Sequence, residues 1–426
     1  MKVILAINSG SSSVKISVYS AEPNQSPIQI AETAVSGLTA PPAQLTYTRG
    51  GDEIKTKEDL EDGLSTQDDA FKFLLKLLVE DSELPQIKKK SDIAITCHRI
   101  VHGGDYPSSQ IITQDTYHHL EELSDLAPLH NGPALDIVNS CVKQLPDAVN
   151  VACFDTQFHT TIPAHIHTYP INPDMAKKNH LKRYGFHGVS YSFITRAVSR
   201  FLGKETKDLN IIALHLGSGA SACAIRNGQS WDTSMGLTPV SGLPGATRSG
   251  SVDPSLVFHY ASDVGKLSPN STSQLHLTKA EEILNKLSGW KSLTGTTDFG
   301  VISNSDEPIH KLAFEIFVDR ICAFVGSYFV TLNGNVDALV FAGGIGEKGD
   351  KLRKRVAEQC ACLGFTIDDT LNSKKIVDMV QEVGKEDAKH RTLVCQTDEQ
   401  LTAWNSLRGA RRGIKTLEWD KFLNRL

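Results

Sequence analysis

No apolar run in this chain approaches the roughly 20 residues that a membrane-crossing helix needs, which argues against a spanning segment. There is no surplus of positive charge either. Lys and Arg number 44 against 49 Asp and Glu, for a net charge of −5, and the basic residues are scattered. That balance excludes the electrostatic footprint of a nucleic-acid binder. The one basic run, Lys88-Lys89-Lys90, reads as a solvated loop ahead of a strand. Metal-type cysteine spacing is also missing. Cys97, Cys141, Cys153, Cys223, Cys322, Cys360, Cys362 and Cys395 mostly sit in apolar patterns, and Cys360-Ala361-Cys362 has no second ligand pair. The pattern suits reduced, core-packed thiols rather than a secreted disulfide framework. Met1 to Asn8 runs into a strand without the layout of a signal peptide. These absences together predict a soluble, cytoplasmic protein.

What is present is an α/β pattern with an internal echo. A length of 426 residues predicts two to three domains at about 150 residues each, long enough to bury substantial cores. Val3 to Ile7, a small polar loop, and alternating Val14, Ile16 and Val18 read as a β-hairpin. The layout recurs at Ile211 to Leu214, the loop Gly217-Ser218-Gly219-Ala220-Ser221, then Ala222, Ala224, Ile225 and an Asn227-Gly228 turn. A third glycine-rich turn, Gly343-Gly344-Ile345-Gly346-Glu347, follows the strand Ala338 to Phe341. Two hairpins of one design predict a duplicated domain, since the period is far too long for a solenoid. Phe71 to Val79 and Ser190 to Leu202 have helical spacing, the latter stopped by Gly203. Leu312 to Phe329 is apolar on more than one face and is predicted to be a buried helix. Ala21 to Asp69, rich in Pro, Gly, Thr and charge, reads as surface strands and loops decorating the first domain.

The chemistry sits at the loops. Asn8-Ser9-Gly10-Ser11-Ser12-Ser13-Val14-Lys15 offers backbone N–H groups, hydroxyls and a mobile cation, all suited to phosphate oxygens. It lacks the glycine-to-lysine spacing of a P-loop, and taken alone it is equally a plain turn. His215-Leu216-Gly217-Ser218-Gly219 and Gly343 to Gly346 add two more small-residue loops after apolar strands, which lets backbone approach a polyphosphate. Cationic clusters follow at His98-Arg99 through His102-Gly103-Gly104, at Arg183 to Gly188, and at Thr247-Arg248-Ser249-Gly250. Phosphoryl transfer is served mostly by positioning and by such charges, and arginine can grip carboxylate or phosphate with two bonds. Any one of these arginines alone is equally an ion-pair partner. Asp155 ends the apolar strand Val151 to Phe154, where α/β active sites gather, though a cap or turn residue would look the same. Glu399 opens a helix after Leu393 to Cys395 and is either a metal ligand, with Asn8 as a second oxygen donor, or a dipole partner.

Taken together, these segments resemble the acetate kinase family over nearly the whole chain. The ordered blocks are Asn8 to Lys15, His98 to Gly104, Phe154-Asp155-Thr156-Gln157-Phe158-His159, Arg183 to Gly188, Asp232-Thr233-Ser234-Met235-Gly236, Thr247 to Gly250 and Gly343 to Glu347. The resemblance implies two duplicated α/β domains of the actin and ribonuclease H-like kind with a cleft between them. Residues 1–156 with roughly 402–426 would form the first, closed by C-terminal helices, and 157–401 the nucleotide-binding second. It implies reversible, Mg²⁺- and ATP-dependent phosphorylation of acetate to acetyl phosphate by direct in-line transfer, in a homodimer. Asn8 and Glu399 would help hold Mg²⁺. Lys15, Ser11, Ser13 and His215, Leu216, Gly217, Ser218 and Gly219 would approach the phosphates of ATP or ADP. Asp298, Phe299 and Gly300 with Gly344, Ile345, Gly346, Glu347 and Lys348 would surround the adenosine. Arg99 and Arg248 would grip carboxylate and moving phosphoryl group, His187 would stabilise transition-state charge, and Val101, Leu129, Phe186 and Pro239 would enclose the methyl group.

A general base is not needed, because a carboxylic acid with a pKa of about 4–5 is already ionised at neutral pH. Asp155 is therefore expected to orient Arg99 or Arg248 or to support the metal. The chain departs from the family pattern at Ser218 (usually Asn), Gly300 (Arg), Lys348 (Asn), Ser251 (Asp) and Tyr191 (His). The changes fall more on the nucleotide side than on the acyl side, so a pyrophosphate-linked enzyme stays open beside ATP. A propionate or butyrate kinase stays open because a methylene discriminates by only about 1–3 kcal/mol. An actin-like ATPase without an acyl acceptor is opposed by the two arginine clusters.

Overall fold

The computed structural model describes residues 2–10, 12–22, 27–39, 41–60, 63–123, 128–261, 263, 265–271 and 277–397, with side chains of 128–130 excepted. Ser11, the Leu129 side chain, Glu399 and the expected helices of 402–426 lie outside them. The chain divides into two compact units, one up to Gln157 and one from Phe158.

The first unit holds strands β1 (Lys2–Ser9), β2 (Ser13–Ala21), β3 (Ile28–Ser36), β4 (Gln44–Arg49), β5 (Asp52–Asp59), β6 (Ile93–Ile100), β7 (Gln110–Ile111) and β8 (Val149–Phe154). They form one sheet in the order β5-β4-β3-β2-β1-β6-β8-β7. From β1 to β5 the chain is an antiparallel meander, whereas β1, β6 and β8 run parallel. β1 is buried on both faces. Val3, Leu5 and Ile7 pack with Phe71, Leu74 and Leu78 of helix Gln67–Glu80, while Ile4 and Ala6 pack with Ile95, Cys97, Val151 and Cys153. Its unbroken apolar run is what two-sided burial demands. That helix starts at Thr66, whose hydroxyl accepts the Asp69 N–H at 3.1 Å. The stretch from Ala21 to Asp69 is more than decoration. β3 and β4 extend the main sheet and place Ala31, Val35, Leu45 and Tyr47 in the core, because alternate residues between the polar ones face inward.

The second unit repeats the frame. β9 (Ile211–Leu216), β10 (Ala220–Arg226), β11 (Gln229–Thr233), β12 (Ala338–Ala342), β13 (Val380–Glu382) and β14 (Arg391–Cys395) lie in the order β11-β10-β9-β12-β14-β13. Again an antiparallel meander, β9 to β11, joins a parallel trio, β9, β12 and β14. The duplication expected from the hairpins is thus a duplication of five strands in the same order and sense. Helix Gly188–Phe201 ends as expected at Gly203, whose N–H reaches Arg200 O while Lys204 N–H reaches Ser199 O. Two elements differ from expectation. Helix Pro308–Thr331 buries one face, with Phe317, Val318, Ile321, Val325 and Tyr328 on the sheet, but leaves Leu312 and Val330 exposed. Its all-round apolarity marks an uncovered surface, not complete burial. The third glycine-rich turn is a short helix, Gly343–Lys348, that begins directly after β12.

Two histidines inside this frame are buried and hydrogen-bonded. His98, on β6, shares the Asn150 Oδ1 acceptor, at 2.9 Å, with Thr96. Burial pushes its pKa down to about 4 against the weaker pull of Asn150, and burial does the same to His159. Both folded pKa values lie below the unfolded value of about 6.5. Between pH ~6.5 and ~4 the unfolded chain therefore binds more protons, and stability falls with pH across that window, by roughly 3 kcal/mol per histidine. Urea midpoints measured across that range are expected to drop toward pH 4, and His98→Gln is expected to flatten the dependence.

Candidate active site

In the first unit the predicted residues gather at the carboxyl ends of adjacent parallel strands, where open α/β sheets place their ligands. Asn8 and Arg99 are the next-to-last residues of β1 and β6, and Asp155 follows β8, its N–H bound to Ile100 O at 3.1 Å. Asp155 is 1% exposed and both its oxygens meet the Arg99 guanidinium, Nε to Oδ1 at 3.1 Å and Nη2 to Oδ2 at 2.7 Å. A buried carboxylate needs such a partner, and the two-point fork fixes the plane of the arginine. Beyond β6 the loop is shaped by reciprocal bonds. Asn131 Oδ1 accepts the His102 N–H at 3.0 Å and its Nδ2 donates to His102 O at 2.9 Å, while Gly103 N–H reaches Thr156 Oγ1. A Cβ on Gly103 would lie 2.2 Å from the Phe154 ring, so only glycine lets this loop lie against the end of β8. Val101 is half-buried at its start.

The first glycine-serine loop closes the β1–β2 hairpin, with Gly10 N–H on Ser13 O at 2.9 Å and Ser12 O accepting Leu38 N–H. Lys15, on β2, does not extend alone. Its Nζ lies 2.8 Å from Glu32 on β3, with 43% of the side chain exposed. An exposed pair of this kind is worth about 0–1 kcal/mol, so a phosphate can compete for the lysine.

In the second unit the β9–β10 loop is built around Arg248. Gly217 N–H bonds Gly219 O, Ser218 O accepts Ala246 N–H at 2.8 Å, and Gly245 N–H reaches Arg248 O. A Cβ at Gly219 would stand 2.9 Å from Arg248 Nη1, so the guanidinium lies directly on this glycine. His187 precedes helix Gly188–Phe201 in the left-handed region, φ 58°. Its Nδ1 is 2.8 Å from Ser221 Oγ, and its ring lies 4.3 Å from that of His215, whose Nδ1 meets Ser190 Oγ at 2.8 Å. His159 braces the segment from beneath. Its Nε2 donates to Phe186 O at 2.9 Å and its Nδ1 faces Ser230 Oγ at 2.7 Å, as a neutral ring requires. Phe186 and Pro239 are buried.

Among the residues predicted for the adenosine, several side chains are otherwise engaged. The Phe299 ring is 5% exposed and packs on Trp290, Phe314 and Phe317, so its side chain belongs to the core and not to a nucleotide surface. Leu216, predicted for the phosphates, has its side chain in the core as well, because β9 is buried on both faces. The Asp298 carboxylate caps helix Phe299–Asn304 by accepting Gly300 N–H at 2.7 Å. Gly344 and Lys348 are exposed, Ile345 packs partly on the core, and Glu347 Oε1 accepts Thr397 N–H at 3.1 Å. Buried Arg353 holds the carbonyls of Gly346 and Glu347, both at 2.8 Å. Arg183, by contrast, is spent on Asp232 at 2.8 Å as an ion pair, with burial still raising that carboxyl's pKa.

Sequence reasoning gave no role to His159, Ser221, Asn131 or Arg353. His159 stands in a quoted block and Ser221 beside the second glycine loop, but their contacts lie 27 to 71 positions away for the first and 30 to 34 for the second. No group of three or more His, Cys, Asp or Glu side chains that could hold a metal occurs among the described residues. Asn8 supplies a hard oxygen at the strand end, which fits Mg²⁺, a cation that takes few protein ligands and keeps phosphate and water.

Two copies of this meander-and-parallel-trio frame, with charged side chains at the ends of the central strands, define a duplicated, actin-like α/β protein. The chain belongs to the acetokinase family, whose model matches residues 3–404. It is 58% identical, over 94% of its length and 92% of the relative's, to a protein of Neurospora crassa named "Probable acetate kinase". Among solved structures, a propionate kinase from Francisella tularensis matches at 32% identity, covering 95% of this chain and 99% of its own, with a TM-score of 0.82. The acetate kinase of Porphyromonas gingivalis matches at 31% identity, with 95% and 98% covered and a TM-score of 0.79.

Asp155→Asn is expected to keep the fold but loosen the Arg99 fork, lowering turnover by about 10²-fold at every pH. A pH–rate profile that loses only its acidic limb while keeping the plateau would assign Asp155 the base role instead.

Proposed function

We propose that this chain transfers the γ-phosphoryl group of ATP to the carboxylate of acetate, reversibly and in line, giving acetyl phosphate and ADP. The observation that carries the reading is the Arg99 guanidinium held by buried Asp155 at the strand ends, in a chain of the acetokinase family. With both oxygens committed to Arg99, Asp155 is suited to positioning, and an acceptor acid of pKa about 4–5 needs no base.

Arg99 and Arg248 serve the acceptor carboxylate and the equatorial oxygens of the moving phosphoryl group, and His187 donates to charge that grows on it. The acceptor oxygen forms its bond to phosphorus as the bond to the ADP oxygen breaks. No proton changes hands. Ser218 and Gly219, in a loop that Gly217 keeps open to close approach, and Lys15 released from Glu32 offer backbone and ammonium donors to the phosphates, and Gly344 and Lys348 the exposed edge toward the nucleoside. Mg²⁺, held through Asn8 and in this reading Glu399, would neutralise phosphate charge when bound. Val101, Leu129, Phe186 and Pro239 supply the apolar surface for the methyl group.

The Francisella likeness keeps propionate within view as an acceptor, but the more similar relative is named for acetate. Cytoplasmic location and a homodimer belong to the same proposal. Eight free cysteines support the first, and the exposed apolar residues Leu312 and Val330 support the second.

Hydroxamate trapping of acyl phosphate with acetate, propionate or no acid, and with ATP, GTP or pyrophosphate, tests the whole reading. Acetate with ATP is expected to give the highest kcat/KM, and ATP turnover without acid would sink it. Arg248→Ala is expected to lower kcat by about 10²–10³-fold with far less change in the KM for ATP. The opposite split would remove Arg248 from the transition state.

A further inference from the structure

The imidazole of His187 is tied to a hydroxyl pair that the proposed chemistry does not itself use. Tyr191 lies one turn along the helix, its N–H on His187 O at 2.9 Å, and its phenol is fully buried. The phenolic oxygen is 2.5 Å from Ser221 Oγ. Ser221 Oγ is in turn 2.8 Å from His187 Nδ1.

Proton counting gives this chain a direction. The phenol is buried, and its one proton has Ser221 Oγ at hydrogen-bond distance as its acceptor. Ser221, itself buried, then turns its own proton onto His187 Nδ1, because an Nδ1–H donating to the same oxygen would strand the serine proton without an acceptor. In the reverse order, Ser221 would donate to the phenol and strand a buried phenolic proton without an acceptor, at the full desolvation cost of an unmade bond. Nδ1 is thereby the acceptor, and the imidazole proton sits on Nε2. A neutral ring in that form presents an N–H donor at Nε2, which suits growing negative charge on phosphoryl oxygen.

We propose that Tyr191 is a positioning residue which, through Ser221, holds His187 in its Nε2–H form. The proposal rests on the reading that His187 serves phosphoryl transfer. Tyrosine suits the task because a phenol has one proton to place and, unlike an imidazole, no second protonated form near neutral pH. The surrounding packing fixes the ring, with Phe158 stacked at 6.5 Å and His159 edge-on at 5.8 Å between centroids.

The test is nitrogen NMR on the full-length protein labelled with ¹⁵N-histidine, with the His187 signals assigned by their loss in His187→Gln. The wild type is expected to show an unprotonated Nδ1 and a protonated Nε2. Tyr191→Phe keeps the ring packing and removes the proton source. It is expected to shift His187 toward the Nδ1–H form and to cut kcat by about 10-fold while KM for acetate and ATP stays within about 2-fold. Ser221→Ala, a smaller change should Tyr191→Phe not fold, is expected to shift the same signals. The double variant is expected to lose no more than Ser221→Ala alone, because the two act as one unit. Wild-type His187 in the Nδ1–H form, or a Tyr191→Phe protein with an unchanged His187 spectrum, would overturn the proposal. Wild-type turnover in His187→Gln would instead remove the functional reading of His187 while leaving the tautomer result intact.

Discussion

The arrangement depends most on one buried charge. Asp155 stands at the end of a parallel strand with almost no access to water, and a carboxylate there is unfavourable unless something meets both oxygens. Arg99 does so from the neighbouring strand. The registers of β6 and β8, from Ile95 against Val149 to Ile100 against Phe154, carry the two side chains to the same level at the sheet edge. Register is in turn specified by the apolar faces, since a slip of one residue would turn Cys97, Val151 and Cys153 out of their core. The local electrostatics are therefore a consequence of sheet packing. A cation whose plane is fixed before substrate arrives spends little on reorganisation when charge develops.

The second unit reaches a similar end by different means. Its parallel trio also supplies a rigid edge, but Arg248 comes from a loop, and backbone bonds from Ser218 to Ala246 and from Gly245 to Arg248 give that loop its shape. His187 is held at a helix start in a conformation few non-glycine residues adopt, above a neutral histidine that braces the preceding carbonyl. Such strain persists only where surrounding structure over-determines it. Gly185 and Tyr184, both bonded to Gly236 O, and the His159 ring supply that surrounding structure.

How much of this was readable in advance varies with the range of the interaction. The hairpins, the helix stop at Gly203 and the strand-end position of Asp155 follow from local period and turn chemistry, and all were legible. Helix Pro308–Thr331 misled because apolar residues on an exposed face look the same in sequence as those on a buried one. Phe299 misled for a related reason. A motif match places the backbone but not the ring, and the ring turned into the aromatic cluster around Trp290. Ser221, Asn131 and Arg353 were invisible because their partners are far along the chain and a serine, an asparagine or an arginine carries no periodic signal. The family resemblance supplied roles that spacing could not, and it also marked Tyr191 as a departure.

Gly219 beneath the Arg248 guanidinium has a consequence for how this chain can vary. Any side chain at 219 would meet space that the cation of Arg248 now fills. A side chain at 219 would push the far end of Arg248 aside, so a change at one position acts on where the cation of the other stands. The smallest residue thus sets the position of one of the longest, and the reach of the guanidinium is written partly at a site that carries no side chain.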